Sequence, residues 1–266
     1  MRRMIRTALE KMARGWAFPR RLPPTVGGSR IWISPDARLR LLQPGAGGFD
    51  KGLLDWASCL VHRGHKVWDI GANVGVFTFA AAGRAGPGGR VLAVEPDPWL
   101  FGLLQRSRAA NRGGGLAQVE LLCAAVAHRS GVARFTIAGR GRASNYLADV
   151  PLAEVGEREQ FLVPTVTADA LVETAFPPDL VKIDVERAEL LVLRGAGRLL
   201  AEVRPALLLE VAESNAEAVR ELLGAARYRL FDAAEPARGF PPVARPVWDT
   251  LALPEERAGA WLAGGG

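Results

Sequence analysis

The chain has 266 residues, 49% apolar and 23% charged, which excludes a disordered chain and allows a large core without metal or disulfide staples. Its two cysteines, Cys59 and Cys123, stand far apart in no C-x-x-C pattern, which excludes a disulfide scaffold and a cysteine zinc cluster and fits a reducing cytoplasm. Positions 1–40 hold ten basic and two acidic residues and the remainder 24 basic against 26 acidic, so the net charge of +6 belongs to the N-terminal segment and no nucleic acid partner is indicated.

Residues 1–17 set Met1, Ile5, Met12 and Trp16 among Arg2, Arg3, Arg6 and Arg14. That spacing predicts a short amphipathic helix, read first as a solvated helix packed on the body and second as a weak membrane-surface or partner contact. No apolar run approaches the roughly 18–20 residues of a membrane span, and none after the basic N-terminus reads as a signal peptide, so a cytoplasmic location is expected, peripheral at the membrane under the second reading. Pro23-Pro24 and Gly27-Gly28 break the chain, residues 30–42 read as an extended stretch, Gly45 to Gly48 as a loop and 51–62 as a helix.

From position 67 the pattern is regular. Strands are predicted at 67–70, 91–94 and 119–123, with helices starting at 76 and spanning 99–111 between them. Apolar strands alternating with helices describe parallel βαβ units with both sheet faces covered. Residues 124–166 break the alternation: 132–137 and 161–166 read as strands without a long helix between them, around a polar stretch containing Ser144-Asn145-Tyr146, so this is expected to be a β-rich insertion. Alternation then resumes with a strand at 180–184, a helix over 188–200, a strand at 206–211, a helix over 216–225, and strands at 228–231 and 247–253.

Val67-Trp68-Asp69-Ile70-Gly71-Ala72-Asn73-Val74-Gly75 is the most informative segment. A strand ends in an acid, and a glycine-bearing turn then opens a helix at the edge of the sheet where open α/β folds bind ligands. Twenty residues after Gly75, Glu95 ends the next strand, where a carboxylate can accept from both hydroxyls of a ribose. A dinucleotide site wants G-x-G-x-x-G around a pyrophosphate, whereas this turn is Gly71-x-Asn73-x-Gly75 beside Asp69. An acid there repels phosphate and suits the ammonium of an aminoacyl chain, which favours S-adenosyl-L-methionine over NAD. The rival readings are a non-catalytic nucleotide-binding or scaffold protein on the same fold and, more remotely, an NAD-dependent oxidoreductase.

A second signal lies in Lys182-Ile183-Asp184-Val185-Glu186-Arg187-Ala188-Glu189, with two carboxylates two apart at a predicted strand end and Glu210 ending the next strand. His62, His65 and His128 offer no ligand set, so no metal site is assigned. With no histidine base in view, carboxylates are the better catalytic candidates, Asp184 first and Glu186 second.

Taken together, residues 67–75, Val94-Glu95-Pro96-Asp97-Pro98, Thr167-Ala168-Asp169-Ala170-Leu171 and the 182–189 motif resemble the FkbM family of S-adenosylmethionine-dependent methyltransferases over about residues 50–211. The resemblance implies a class I Rossmann-like α/β sheet with helices on both faces, here with a β-rich insertion and a basic N-terminal helical extension. It implies O-methylation of a hydroxyl on a small-molecule or glycan acceptor such as a sugar, polyketide or other secondary metabolite. It assigns Asp69, Gly71, Asn73 and Gly75 to the cofactor loop, Glu95 to the ribose, and Ala124 and Ala125, with Cys123, to the neighbourhood of the adenine. The organisation read on this basis is a basic extension over 1–50, the methyltransferase domain over 51–256 and a tail over 257–266. One departure stands out: Arg187 occupies a position where the family usually has glycine. If that position needs positive φ, the turn is strained by about 1 kcal/mol or more, and the guanidinium is either solvated or within reach of an anionic acceptor.

Overall fold

A computed structural model of the chain describes residues 15–138, 142, 145–147 and 157–263. The helix expected over 1–17 falls outside them up to position 14, and 15–17 are irregular. The described chain opens with a hairpin, β1 (Phe18–Arg21) and β2 (Arg30–Ile33), antiparallel with Phe18 opposite Ile33. Extended backbone ends at Ile33, earlier than the sequence suggested, and Leu39–Leu42 is a 3-10 turn.

The elements that follow are α1 (Lys51–Leu60), β3 (Lys66–Ile70), α2 (Val76–Ala85), β4 (Arg90–Val94), α3 (Pro98–Ala110), β5 (Gln118–Leu122), β6 (Ala125–Val126), β7 (Gly131–Ala138), β8 (Tyr146–Leu147) and β9 (Glu157–Val166). Then come α4 (Ala168–Thr174), β10 (Leu180–Ile183), α5 (Glu189–Arg194), β11 (Ala206–Glu210), α6 (Ala216–Ala225), β12 (Tyr228–Asp232), β13 (Asp249–Pro254) and α7 (Ala258–Leu262). Seven strands form the central sheet in the order β12-β13-β11-β10-β3-β4-β5, parallel except for β13, which runs antiparallel to both its neighbours. This is the class I Rossmann-like methyltransferase sheet expected from the sequence.

Period-two alternation makes the sheet two-faced. Val67, Val91, Leu180 and Leu208 enter one core with α1, α2 and α3, while Trp68, Leu92, Val181 and Leu207 enter a second core on the other face. The chain runs from β3 outward through β4 and β5, then returns to β10 on the other side of β3. The strand order therefore reverses between β3 and β10, and a crevice opens at their carboxyl ends. The β-rich insertion is a separate four-stranded sheet, β6-β9-β7-β8, over a small core of Phe135, Ile137, Leu147 and Val163.

Two local features differ from the sequence reading. Residues 18–49, set apart by sequence as part of an extension, are packed into the first core through Leu22, Val26, Ile31, Ile33, Leu41 and Phe49. Ser107 Oγ and Asn111 Oδ1 accept from the backbone amides of Trp32 and Arg30 at 2.7 and 2.9 Å, which fastens β2 to the end of α3. The helix expected over 188–200 breaks after Arg194. A Cβ on Gly195 would stand 2.3 Å from the Ala127 carbonyl oxygen, so the chain passes too close to the insertion to carry a side chain there, and the next turn, Leu199–Val203, is a π-helix.

Candidate active site

The crevice at the carboxyl ends of β3, β4 and β10 is a cleft, closed on one side by the insertion and on the other by residues 38–53. Its floor is the turn after β3. Gly71 and Asn73 take positive φ (80° and 52°), and the amides of Gly71 and Ala72 donate to the Val94 carbonyl at 2.9 and 3.1 Å. A Cβ at Gly71 would meet the Asp184 carbonyl oxygen at 1.9 Å, so the neighbouring strand end by itself requires glycine there. Gly75, φ 86°, opens α2 from a buried position against Leu104 and Phe79 and does not line the cleft.

Glu95 lines the cleft at the end of β4, only 5% exposed. One carboxylate oxygen accepts from the Asn73 amide at 2.8 Å and the other from the Asp97 amide at 2.9 Å. Burial pushes its pKa up to about 8; the two amide hydrogen bonds pull the other way and the nearby Asp97 charge adds to the rise. Ala124 and Ala125 also line the cleft, with Ile70, Val94, Val126, Phe135 and Leu147 forming an apolar wall.

Asp97 is wholly buried and anchors the insertion. It caps α3 through the Trp99 amide (2.9 Å), accepts from Asn145 Nδ2 (2.9 Å) and is ion-paired to Arg142, whose Nε also reaches Asp36 at 3.0 Å. Arg142 and Asn145 thereby become cleft-lining residues. The Thr167–Leu171 motif has a different job: Thr167 caps α4 through the Ala170 amide, and Asp169 accepts from the amides of Arg198 and Leu199, away from the cleft.

The two candidate catalytic carboxylates, Asp184 and Glu186, both line the cleft. Asp184 follows β10, with its side chain 18% exposed. Glu186 and Arg187 both take positive φ (50° and 73°), so the glycine-free turn after Asp184 is left-handed at two consecutive residues. Arg187 is exposed, between the cleft-lining residues Glu186 and Ala188 but not itself in the wall, and the arginines that line the cleft are Arg38, Arg40 and Arg142. Burial, then the Asp184 charge, raise Glu186 to about 7 and Glu210 to about 8. Asp249, opposite Glu210 across the β11–β13 ladder, rises to about 6 by burial and by Asp50, Asp232 and Asp184.

Sequence reasoning assigned no role to Lys182, the central charge of this region. Its ammonium, 3% exposed, lies 3.2 Å from Asp69 Oδ1, 3.2 Å from Asp184 Oδ2 and 3.4 Å from the Gly71 carbonyl. Burial alone would lower its pKa; the charges of Asp184, Asp69 and Glu210 reverse this and hold it raised. Asp69 is 0% exposed, also accepts from Thr78 Oγ1 at 2.6 Å and is absent from the cleft wall. The acid before the turn therefore faces Lys182 and Thr78 rather than a ligand. A lysine inside the apolar run Leu180-Val181-Lys182-Ile183 was the available signal.

His128 is exposed, and His62 and His65 stack edge to face at the opposite end of β3. Among the described residues no group of three or more His, Cys, Asp or Glu could hold a metal ion, and no helix is long and apolar enough to cross a membrane.

The methyltransferase FkbM domain model matches residues 69–232, from the acid of the first turn through β12. The chain belongs to the FkbM methyltransferase family. It is a methyltransferase, and its methyl donor is S-adenosyl-L-methionine. A comparison with curated protein sequences found no match. Among solved structures, an FkbM methyltransferase from Methylobacillus flagellatus KT is 20% identical with a TM-score of 0.47 over 71% of this chain; the chain spans only 42% of that protein. A precorrin-6y C5,15-methyltransferase from Geobacter metallireducens GS-15 is 14% identical (TM-score 0.44, 76% of this chain and 87% of that one). An Aeropyrum pernix fibrillarin solved with S-adenosyl-L-methionine is also 14% identical (TM-score 0.43, 89% and 92%).

The donor set of the cleft fits S-adenosyl-L-methionine. Glu95 offers a carboxylate with lone pairs left after its two amide contacts, suited to a ribose diol. The apolar wall from Ala124 to Val126 with Phe135 and Leu147 suits an adenine, and the glycine turn presents bare backbone between them.

Proposed function

We propose that the protein is an O-methyltransferase that methylates a hydroxyl of a sugar, polyketide, other secondary metabolite or glycan. The observation that carries this reading is the position of Asp184. It is an acid at the switch-point edge of the sheet, in backbone contact with the cofactor turn through its amide, which donates to Ile70 O at 3.1 Å, and it reaches the cleft. An alcohol is a weak nucleophile at neutral pH, and a positioned carboxylate is what its proton requires.

The cofactor supplies a methyl group already activated on a sulfonium. What remains for the protein is alignment, exclusion of water and removal of one proton. Glu95, the 71–74 turn, Ala124 and Ala125 would hold the donor. Asp184 would take the proton of the acceptor hydroxyl, and Glu186 lies beside it as the second acid. The wall of Arg38, Arg40, Leu41, Asp50 and Leu53 faces the acceptor. It is polar and of mixed charge, which suits a hydroxylated molecule. Cys59 and Cys123 are unpaired, in keeping with a reducing cytoplasm.

Transfer from methyl-labelled S-adenosyl-L-methionine to a panel of sugars, polyols and glycans, read by mass spectrometry, tests the reaction class. Asp184→Asn is expected to reduce kcat by about 10²–10⁴-fold with donor affinity within several-fold. Labelling on nitrogen or carbon, or an Asn variant within threefold of wild type, would remove the O-methyl assignment or the base respectively.

A further inference from the structure

We propose that Lys182 is a positioning residue for the cofactor: its buried ammonium bolts the glycine turn that seats S-adenosyl-L-methionine to the acid that faces the acceptor. The inference rests on the reading of the Gly71 turn as the donor's seat, and it stands whether or not Asp184 is the base.

Three observations converge on Lys182. Its ammonium bridges residues from both sides of the switch point, namely Asp69 on β3, Asp184 beyond β10 and the Gly71 carbonyl in the turn itself. The turn and the acid are also packed backbone to backbone, since a Cβ on Gly71 would strike the Asp184 carbonyl oxygen. Finally, the lysine is held charged in a place that burial would otherwise neutralise, which requires its carboxylate partners to be present.

The chemistry explains why an ammonium suits this place. Two strand ends that end in carboxylates, β3 with Asp69 and β10 with Asp184, would repel each other, and the sheet register sets Asp69 beside Lys182. A cation between them converts that repulsion into attraction and leaves one donor for a carbonyl of the turn. Gly71 has no side chain through which its position could be fixed, so its carbonyl is the natural handle. The turn is thereby fixed in the same act as the acid. A donor that binds on the turn finds the acceptor-side carboxylate already at its place.

Isothermal calorimetry with S-adenosyl-L-methionine tests this on the full chain. Lys182→Met keeps the stem and removes the ammonium, and Lys182→Arg keeps a cation. Because the Met variant leaves Asp69 buried without its cation, at a cost to folding, Asp69→Asn/Lys182→Met removes both charges while Thr78 can still donate to position 69. Each protein is first checked for a wild-type circular dichroism spectrum. In the folded Met variant or the double variant the Kd is expected to weaken at least tenfold, with Lys182→Arg recovering a large part of the loss. A merely structural lysine would lower the melting temperature and leave the Kd of the folded fraction where it was. A folded Met or double variant that binds within threefold of wild type overturns the inference, as does a folded Arg variant no better than Met. If the wild-type chain does not bind S-adenosyl-L-methionine, the reading of the turn falls first and the inference with it.

Discussion

Replacing Glu95 by glutamine changes one oxygen for an NH₂ group, and the structure makes that a severe change. Each oxygen of the carboxylate already accepts one backbone amide, from Asn73 at 2.8 Å and from Asp97 at 2.9 Å. A glutamine can satisfy one of those donors; its NH₂ must face the other. An unsatisfied buried donor costs about 1–3 kcal/mol, so the folded state should lose roughly that much. The ribose loses more specifically: hydrogen bonds to a charged acceptor contribute about 1.5–3 kcal/mol, and at 1.4 kcal/mol per tenfold this is a roughly 10–150-fold weaker Kd. The acid's own titration sharpens the test. In the free protein Glu95 ionises only at about 8, because it is buried. The form that accepts two hydroxyls is the carboxylate, so below pH 8 binding must first release a proton, at up to tenfold in affinity per pH unit. The donor's α-amino group titrates near the same pH (about 7.7–8.0), so the informative quantity is the ratio of wild type to Glu95→Gln at each pH. Calorimetry from pH 6 to 9 should show the full wild-type advantage at pH 9 and near parity at pH 6. A folded Gln variant with wild-type affinity at pH 9, or a ratio constant across the range, would refute the ribose assignment.

Gly71→Ala should abolish both donor binding and turnover in calorimetry and transfer assays, since its Cβ falls 1.9 Å from the Asp184 carbonyl oxygen in a backbone at φ 80°; an alanine variant with wild-type Kd would contradict the packing of these two walls. Arg187→Gly should raise stability by about 0.5–1 kcal/mol, the relief of a left-handed residue (about 1–2 kcal/mol) less the added chain entropy (about 0.4–1 kcal/mol), without changing acceptor preference, as a thermal melt and a competition assay would read. Arg142→Met leaves Asp97 and Asp36 without their shared cation, and a loss of about 3 kcal/mol is expected, or roughly 6–12 °C in Tm, with weaker donor binding through the loosened insertion. Glu95, Glu210, Glu186 and Asp249 all have raised values, about 8, 8, 7 and 6. The native state thus holds these protons more tightly than the unfolded chain, whose carboxyls ionise near about 4. Stability from this source is full below that pH and is lost as the pH rises towards 8, so the free protein should melt higher at pH 5.5 than at 8.5, with Glu210→Gln flattening the slope; the opposite slope would disprove the burial argument.

Much of the fold is legible because its signals are local. The strands at 66–70, 90–94, 180–183 and 206–210 are short apolar runs bounded by polar residues, and α6 over 216–225 has the bounds expected of it. The misreadings arise where distant chain segments meet. Nothing in the window around Gly195, where α5 stops, says that residue 127 will pass close enough to forbid a side chain there. The segment 18–49 is basic at its start and broken by proline and glycine, so locally it reads as an appendage; Ile31 and Ile33 alternate with solvent-facing positions as a half-buried strand does, and their burial depends on α3 being there to cover them. The insertion was readable as β-rich, but not that Arg142 and Asn145 would lock it to Asp97.

For the site, the sequence places charges at strand ends and leaves their partners open, and partner choice decides function. Asp69 and Asp184 look alike in sequence, each following an apolar strand and preceding a turn. Tertiary context separates them: Asp69 faces α2 on the first-core side of the sheet, where Thr78 and Lys182 each engage one of its oxygens, whereas Asp184 shares the same lysine but keeps a face in the cleft. A carboxylate with a partner on each oxygen and no exposure is out of reach of an acceptor's proton, while one held by a single cation and open on one side can meet it. The lysine that makes the difference sits between Val181 and Ile183, in a strand otherwise buried on both faces. Placing an ammonium there is costly unless at least two opposite charges await it. A lone lysine in a buried parallel strand is thus itself a statement that acids converge on it, and in this chain the acids that converge are those at the seam between β3 and β10.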